Sequence, residues 1–273
     1  MTETVAWLAG VPSDFRALAW RVFFTSRGRG ISLAHHFPWI DQECRTVSVC
    51  AWVGGTLVGG LVIRRIPMSD GGQCGLVGLV CVEASERGKG WSHRLLEVAT
   101  AQAGQQGLTA LLLWTQKPEV YARHGFVLGG SELLGDVVSR SEVVPLPLQT
   151  EQPWPSETVS IGAVLRGLPA FARSARRLDV ETARGVASAI VLETAAGPAV
   201  AEWHGDEHDV AELLVTSLPQ HWVLNAIEGD RLVGALQACG CSMQLRPSRT
   251  RFVRWVTPDT GRVLPDVRVL DRV

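Results

Sequence analysis

Residues 46–63 carry no charged side chain, and an uncharged run of that length either crosses a bilayer as a helix or is buried by folding. The run holds two glycine pairs, Gly54-Gly55 and Gly59-Gly60, and Val47, Val49, Ala51 and Val53 alternate ahead of the first. Period-two alternation leading into a Gly-Gly pair specifies a strand, a tight turn and a second strand, because glycine supplies the backbone geometry of a two-residue hairpin. The run is therefore read as a buried hairpin, and no membrane partner is expected.

The rest of the composition fits a globular enzyme-sized chain. Of 273 residues, 46% are hydrophobic and 19% charged, which excludes a disordered or solvating chain and allows one large domain or two modest ones. The net charge of −1 supplies no global field for nucleic acid or an anionic surface, so neither is expected as a partner. Met1 to Ala9 lacks a basic segment followed by an apolar one, so no secretory signal is expected. The six cysteines, Cys44, Cys50, Cys74, Cys81, Cys239 and Cys241, contain no C-x-x-C pair and read as reduced thiols in a cytoplasm. The histidines show no metal-ligand spacing.

Pro145, Pro147, Pro153 and Pro155, with Gln149 to Gln152 between them, read as a linker because proline removes backbone donors. The expected division is 1–142, a linker at 143–158, and 159–273. The first part opens with a helix behind Ser13, a candidate N-cap. An aromatic segment with His35, His36, Phe37 and Trp39 follows. Then come the hairpin, an apolar strand at Gly75 to Val82, a helix from about Gly90 to Gly104, a strand at Leu108 to Trp114, a short helix opened by Pro118 and closed by Gly125, and a strand near Phe126. The second part repeats this order faintly, with strands at 186–194, 199–203 and 222–227, helices from Asp209 and Asp230, and a last strand at Met243 to Trp255. ARHGFVL and QACGCSM occupy corresponding places, which reads as an internal duplication with a shortened second copy. Arg246, Arg249, Arg251 and Arg254 in the last strand read as a solvated, charge-protected edge.

The strongest local signal is Val82-Glu83-Ala84-Ser85-Glu86-Arg87-Gly88-Lys89-Gly90-Trp91-Ser92. A buried strand ends, the chain turns through two glycines, and a helix begins. Glycines let backbone amides approach a ligand, and a helix N-terminus adds unpaired N–H groups and positive dipole. With Arg87 and Lys89 alongside, this is a receptor for phosphate or pyrophosphate. It is neither a Walker loop nor a G-x-G-x-x-G turn.

Arg87-Gly88-Lys89-Gly90-Trp91-Ser92 resembles the acyl-CoA pyrophosphate motif R/Q-x-x-G-x-G/A of the GNAT (Gcn5-related N-acetyltransferase) superfamily. Arg87 and Gly90 match, and Ser92 stands where Gly or Ala is usual. LVCVEASERGKG is similar to the family's fourth strand and turn, and YARHGF to its helix ending in Y-x-x-x-G-F. The resemblance covers roughly residues 5 to 130. It implies an α+β fold, a mixed central sheet flanked by helices, whose splayed strands admit acetyl-CoA as co-substrate, with no metal. It further implies that backbone N–H groups near Val80, Cys81 and Val82 hold the thioester carbonyl while an amine attacks. The family often protonates the departing thiolate with a tyrosine, and Tyr121, the single tyrosine of the chain, stands at the matching position.

Glu83, at the strand end, is a candidate base, as are His35 and His36 in the segment the family uses as a substrate wall. His93 and His124 read as structural. Trp39, Trp52, Trp114 and Phe37 are candidates for an acceptor pocket or for plain core. In the second part, His204-Gly205-Asp206-Glu207-His208 replaces the glycine motif with carboxylates, and Leu236 replaces the tyrosine, which makes this copy degenerate. The expected reaction is transfer of an acetyl group from acetyl-CoA to a primary amine of a small molecule. The alternatives are a non-catalytic acyl-CoA sensor and an enzyme using a longer acyl donor.

Overall fold

The computed structural model describes residues 2–28, 30–42, 45–139, 146, 149–155, 165–257 and 261–272. Cys44, Pro145 and Pro147 lie outside the described residues.

The first part runs β1 (Glu3–Ala9), α1 (Ser13–Phe23), α2 (Leu33–His36), β2 (Thr46–Val53), β3 (Thr56–Pro67), β4 (Gln73–Val82), α3 (Trp91–Ala103), β5 (Ala110–Thr115), α4 (Pro118–Ala122) and β6 (Val127–Val138). The uncharged run is the expected hairpin, with Val53 paired to Thr56 across the glycine turn. β1 has no counterpart in the sequence reading, because it is a half-exposed edge strand without a fully buried face. Ser13 is the first helical residue rather than the cap. Pro12 precedes it, and among the described residues no side chain caps this helix.

The second part runs β7 (Gln149–Trp154), β8 (Ala172–Thr182), β9 (Gly185–Thr194), β10 (Gly197–His204), α5 (Glu207–Ser217), β11 (His221–Ile227), α6 (Arg231–Ala238) and β12 (Ser242–Trp255). Part of the expected linker is thus a strand. Gln149–Trp154 pairs antiparallel with β8 at the sheet edge, where the prolines' missing N–H groups are tolerated.

All strands join one sheet in the order β1-β2-β3-β4-β5-β12-β6-β11-β10-β9-β8-β7. The two parts exchange strands. β12 lies between β5 and β6, and β6 lies between β12 and β11. The arginine-bearing strand is therefore central and paired on both sides, which corrects its reading as an edge. The division at 142/143 follows chain order, but sheet pairing crosses it.

The repeat of elements is visible in the backbone. The N–H of Phe126 donates to the Tyr121 carbonyl after α4, and the N–H of Cys241 donates to the Leu236 carbonyl after α6. β4 pairs parallel with β5, and β10 pairs parallel with β11, each over only a few residues.

Helices cover both faces of the first part. Phe15, Leu18 and Ala19 of α1 pack with Trp39, Val62 and Leu79 on one face. Leu95, Leu96 and Ala99 of α3 pack with Val49, Leu61 and Leu111 on the other. Each such leucine contributes about 1.5–3 kcal/mol by leaving water. In the second part α5 and α6 cover one face. The opposite face is covered by Leu270 of the C-terminal segment, with Leu168 packed alongside. That substitution of an irregular segment for two helices is why the copy is shorter. Among the described residues, no helix is long and apolar enough to cross a membrane.

Candidate active site

β4 and β5 are paired only from Cys74 to Leu76, against Ala110 to Leu112. Beyond Leu76 the strands part, because the register of β4 on β3 shifts between Gly78 and Cys81. Within that shift Leu79 has φ +49°, alone among the described non-glycine residues in being left-handed. Such a backbone costs on the order of 1–3 kcal/mol, and such strain clusters at functional sites. The Glu83 N–H turns to the Val58 carbonyl of β3. Alternation along the strand then turns the N–H groups of Val82 and Val80 toward the opening and that of Cys81 toward β3. The Cys81 side chain is buried, and burial pushes its thiol up to about 12, as it does for Cys50 and Cys74.

The glycine turn stands at the same end of β4. Gly88 and Gly90 have φ +80° and +82°, and a Cβ on either would meet nothing within 4 Å. Glycine is required there by backbone conformation, and the space beside it is open. No acceptor among the described residues takes the N–H of Gly88, Lys89 or Gly90. Gly90 opens α3 with no side-chain cap, so the first amides of the helix are available too. Ser92 is half-buried on that first turn. α5 is built differently, since Asp206 accepts from the N–H groups of His208 and Asp209. A protein carboxylate there fills the place of an external anion. Arg184 in turn pairs with Asp206 and Asp209 and holds the Asp209 carboxyl below its usual range. Among the described residues no acidic, histidine or cysteine group is arranged for a metal.

The side chains of the motif divide their work. Arg87 is exposed, with Nε donating to the Val82 carbonyl at 3.3 Å. Lys89 is held by Glu86 at 2.9 Å, and Trp91 donates its indole N–H to the same carboxylate. Lys89 first and Trp91 second hold the Glu86 carboxyl below its usual range. The Trp91 ring is buried in the α3 core, so what it offers a ligand is its backbone N–H.

Tyr121 is half-buried on α4, edge-on to Phe126 and packed against the same core as Val80 and Val82. Burial raises its pKa, which keeps the phenol protonated at neutral pH. Its position is tied to α3 through His124, whose Nε2 lies 3.1 Å from Nδ1 of His93. Burial first, then the charge of His93, lowers the His124 pKa.

The remaining candidates fare unevenly. Glu83 sits at the end of β4, but Arg21 of α1 pairs with one oxygen and the Ala84 N–H donates to the other. His36 is buried, with Nδ1 donating to the Leu168 carbonyl at 2.6 Å and Nε2 accepting from the Ile31 N–H at 3.0 Å. Burial is the main cause lowering its pKa. Both ring nitrogens are occupied in the neutral form, so His36 is a wall residue and not a base. His35 is exposed beside it. Trp39 is fully buried beneath the Arg64 guanidinium and belongs to the core rather than to a pocket. Trp52 likewise packs against the α1 core.

A cavity of about 570 Å³ opens at the Leu79 bulge, where β4 and β5 have parted. His36, Phe37 and Trp114 line it, as do Phe23 and Phe24 from the end of α1. Its outer wall is unexpected. Gly167 to Phe171, just before β8, lies against α2 so closely that a Cβ at Gly167 would be 2.3 Å from the His36 carbonyl oxygen. Val269 to Arg272 closes the floor. Asp271 pairs with Arg166 at 3.0 Å within the second part, and its carbonyl accepts from Nη1 of Arg64 on β3 at 2.6 Å, which fixes this C-terminal segment across both parts of the chain.

For the acyl-CoA donor that the sequence resemblance implies, Arg87→Glu should weaken binding at least tenfold, about the worth of one charge-assisted hydrogen bond, and leave acceptor binding within about twofold. Gly90→Val should do the same, because a β-branched residue resists positive φ and moves the amides. Isothermal titration with each ligand checks both. Equal losses for donor and acceptor would mean a misfolded turn.

Residues 13–126 match the model of the Acetyltransferase (GNAT) family. A conserved protein of unknown function from Enterococcus faecalis, described as a probable N-acyltransferase, is similar in structure with a TM-score of 0.67 at 13% identity, over 94% of this chain and 73% of that one. A GCN5-related N-acetyltransferase from Anabaena variabilis gives 0.65 at 12% identity, over 93% and 73%. A tandem GNAT protein from the clavulanic acid biosynthesis pathway gives 0.58 at 13% identity, over 94% of this chain and 99% of that one. A comparison with curated proteins finds no match. At these identities the structures speak to fold, and the family model speaks to the first part of the chain. Residues 13–126, with their open β4 and uncapped glycine turn, match the acetyltransferase (GNAT) family model, in a chain whose fold over 94% of its length is similar to that of a tandem GNAT protein.

Proposed function

We propose that this protein transfers an acetyl group from acetyl-CoA to a primary amine of a small molecule, using its first part. The observation that carries the reading is the meeting, at one end of β4, of unclaimed glycine-turn amides and a strand that leaves its neighbour, with a protonated phenol packed against the same core as Val80 and Val82. Arg87, Gly88, Lys89, Gly90, Trp91 and Ser92 would cradle the pyrophosphate through backbone N–H groups and the exposed guanidinium. Acetyl-CoA supplies a thioester whose thiol leaving group has a pKa of about 8.5. The N–H groups of Val80 and Val82 then take the charge developing on the carbonyl oxygen. The amine nitrogen bonds to the carbonyl carbon, the carbon–sulfur bond breaks, and the sulfur takes the proton of Tyr121 Oη. Glu83 is the proposed acceptor of the amine's proton, its present cationic partner Arg21 giving way to the incoming ammonium. Release of free thiol from acetyl-CoA across a panel of amines tests the reaction, and no release with any amine favours the sensor reading.

The same reading sets the stoichiometry at one acetyl-CoA per chain. α5 has its first amides already capped by Asp206, and two carboxylates at its entrance would repel pyrophosphate. Titration with a non-reactive acetyl-CoA analogue should give one site, and two equivalent sites would overturn the division between the copies.

A further inference from the structure

The cavity at the Leu79 bulge has a charge pattern of its own. Arg27, Lys117, Arg249 and Arg272 line it, and no aspartate or glutamate among the described residues does. Arg27, Lys117 and Arg249 form no ion pair among the described residues. Arg272 differs from them in being buried, with its side chain 7% exposed. Its Nη1 donates to Glu132 at 2.5 Å, and the guanidinium lies 4.8 Å from the centre of the Trp114 ring. Nε and Nη2, the two nitrogens along the other edge of the fork, have no hydrogen-bond partner among the described residues and lie just beneath the cavity surface, so an anion reaches them as the lining side chains shift.

A buried guanidinium edge without acceptors is costly, because each unmade hydrogen bond forfeits the hydration it replaced. Two parallel N–H groups on one planar edge match the two oxygens of a carboxylate. The charges facing Arg272 are Glu132, which favours its cationic form, and Arg249 and Arg268, which oppose it alongside the larger effect of burial. An anion between Arg249 and Arg272 would relieve that repulsion. The remaining lining is apolar and aromatic, from Phe23, Phe24, Phe37 and Phe171.

From this juxtaposition we infer that the acceptor is an amine carrying a carboxylate on an apolar or aromatic body, the carboxylate being held by Arg272 and Arg249. The inference deepens the acetyl-transfer reading and rests on it for the word acceptor. The anion site itself does not depend on catalysis. Amines without an acid group are then poor acceptors, because they leave these cations unmatched in an apolar cavity.

Matched probes separate the two readings. Isothermal titration of the full chain with 3-phenylpropionate and 3-phenylpropionamide should show the carboxylate binding at least tenfold tighter, about the worth of a charge-assisted pair. Arg272→Gln should bring the two probes to within about threefold of each other. Arg249→Gln, on an exposed side chain that leaves the Glu132 pair intact, should weaken the carboxylate several-fold and leave the amide unchanged. Equal binding of the two probes to the unaltered protein overturns the inference, as does binding of neither, or a preference that survives Arg249→Gln. Phenylalanine and phenethylamine give the catalytic arm, with thiol release expected about a hundredfold faster in kcat/KM for the amino acid. Release at equal rates would sink the acid requirement and leave acetyl transfer standing. A carboxylate preference with no release from either amine would sink acetyl transfer and leave the anion site standing.

Discussion

Tyr121→Phe should lower kcat by about 10²-fold or more with little change in KM, the range of a lost general acid. The phenol is well placed for a clean test. Its hydroxyl makes no hydrogen bond among the described residues, and the ring packs edge-on against Phe126. Removing the oxygen therefore costs no partner, and the thermal midpoint should stay within a degree or two, as for a substitution that leaves packing intact. Burial raises the pKa of the group, so the acid form persists through neutral pH. The dependence on pH follows from the leaving group. Above a pH of about 8.5 a coenzyme thiolate departs without needing a proton, so the deficit of the Phe variant should shrink as pH rises. A solvent-viscosity series establishes whether chemistry limits kcat. An unaltered kcat under chemistry-limited conditions removes Tyr121 from the mechanism.

The same residue marks how far the sequence alone could be read. The hairpin at Gly54-Gly55, the turn from Val82 to Ser92 and the short helix bearing Tyr121 are set by neighbours in the chain, so spacing and glycine placement reveal them. The wall of the cavity is not local. His36 reads as a candidate base because no motif marks its nitrogens as taken, yet one accepts from the Ile31 N–H and the other is claimed by the Leu168 carbonyl from the other part of the chain. Arg249 sits in a strand whose charges read as an exposed edge. Alternation tells which residues share a face, but not which strands lie on either side, and β12 is flanked by β5 and β6. Strand β8 was hidden for a related reason. Its buried Ala175, Leu178 and Val180 are interleaved with arginines that pair outward, which dilutes the apolar signal. Arg272 could not have been singled out by any motif, since its role depends on Glu132 and Trp114 being carried to it by the fold.

Expressed alone, residues 1–142 should fail to give a soluble, cooperatively folding protein, and co-expression with residues 143–273 should recover both pieces as one complex. The expectation follows from the strand exchange. Without β12, the edge of β5 from Ala110 to Thr115 and the edge of β6 from Val127 to Val138 lose their partner. β6 would also lose β11 on its other side, from Glu132 to Val138. Phe252 and Val253 leave the cores around α3 and β5, and the contact from Arg254 to the His124 carbonyl is lost. Ladder hydrogen bonds contribute about 0.5–1.5 kcal/mol each, and large buried side chains about 1.5–3 kcal/mol. A central strand of this length carries enough of both to match the roughly 5–15 kcal/mol that holds a domain together. The exposed edges would invite pairing between copies, so precipitation is the expected outcome rather than a loose monomer. In the co-expressed pair every strand has its neighbour again. The break falls between β6 and β8, where only the edge strand β7 intervenes. Thermal melts and size-exclusion chromatography read the result. A soluble, monomeric 1–142 that melts cooperatively and binds acetyl-CoA like the full chain would show that the exchanged strands are dispensable and that the first part folds on its own.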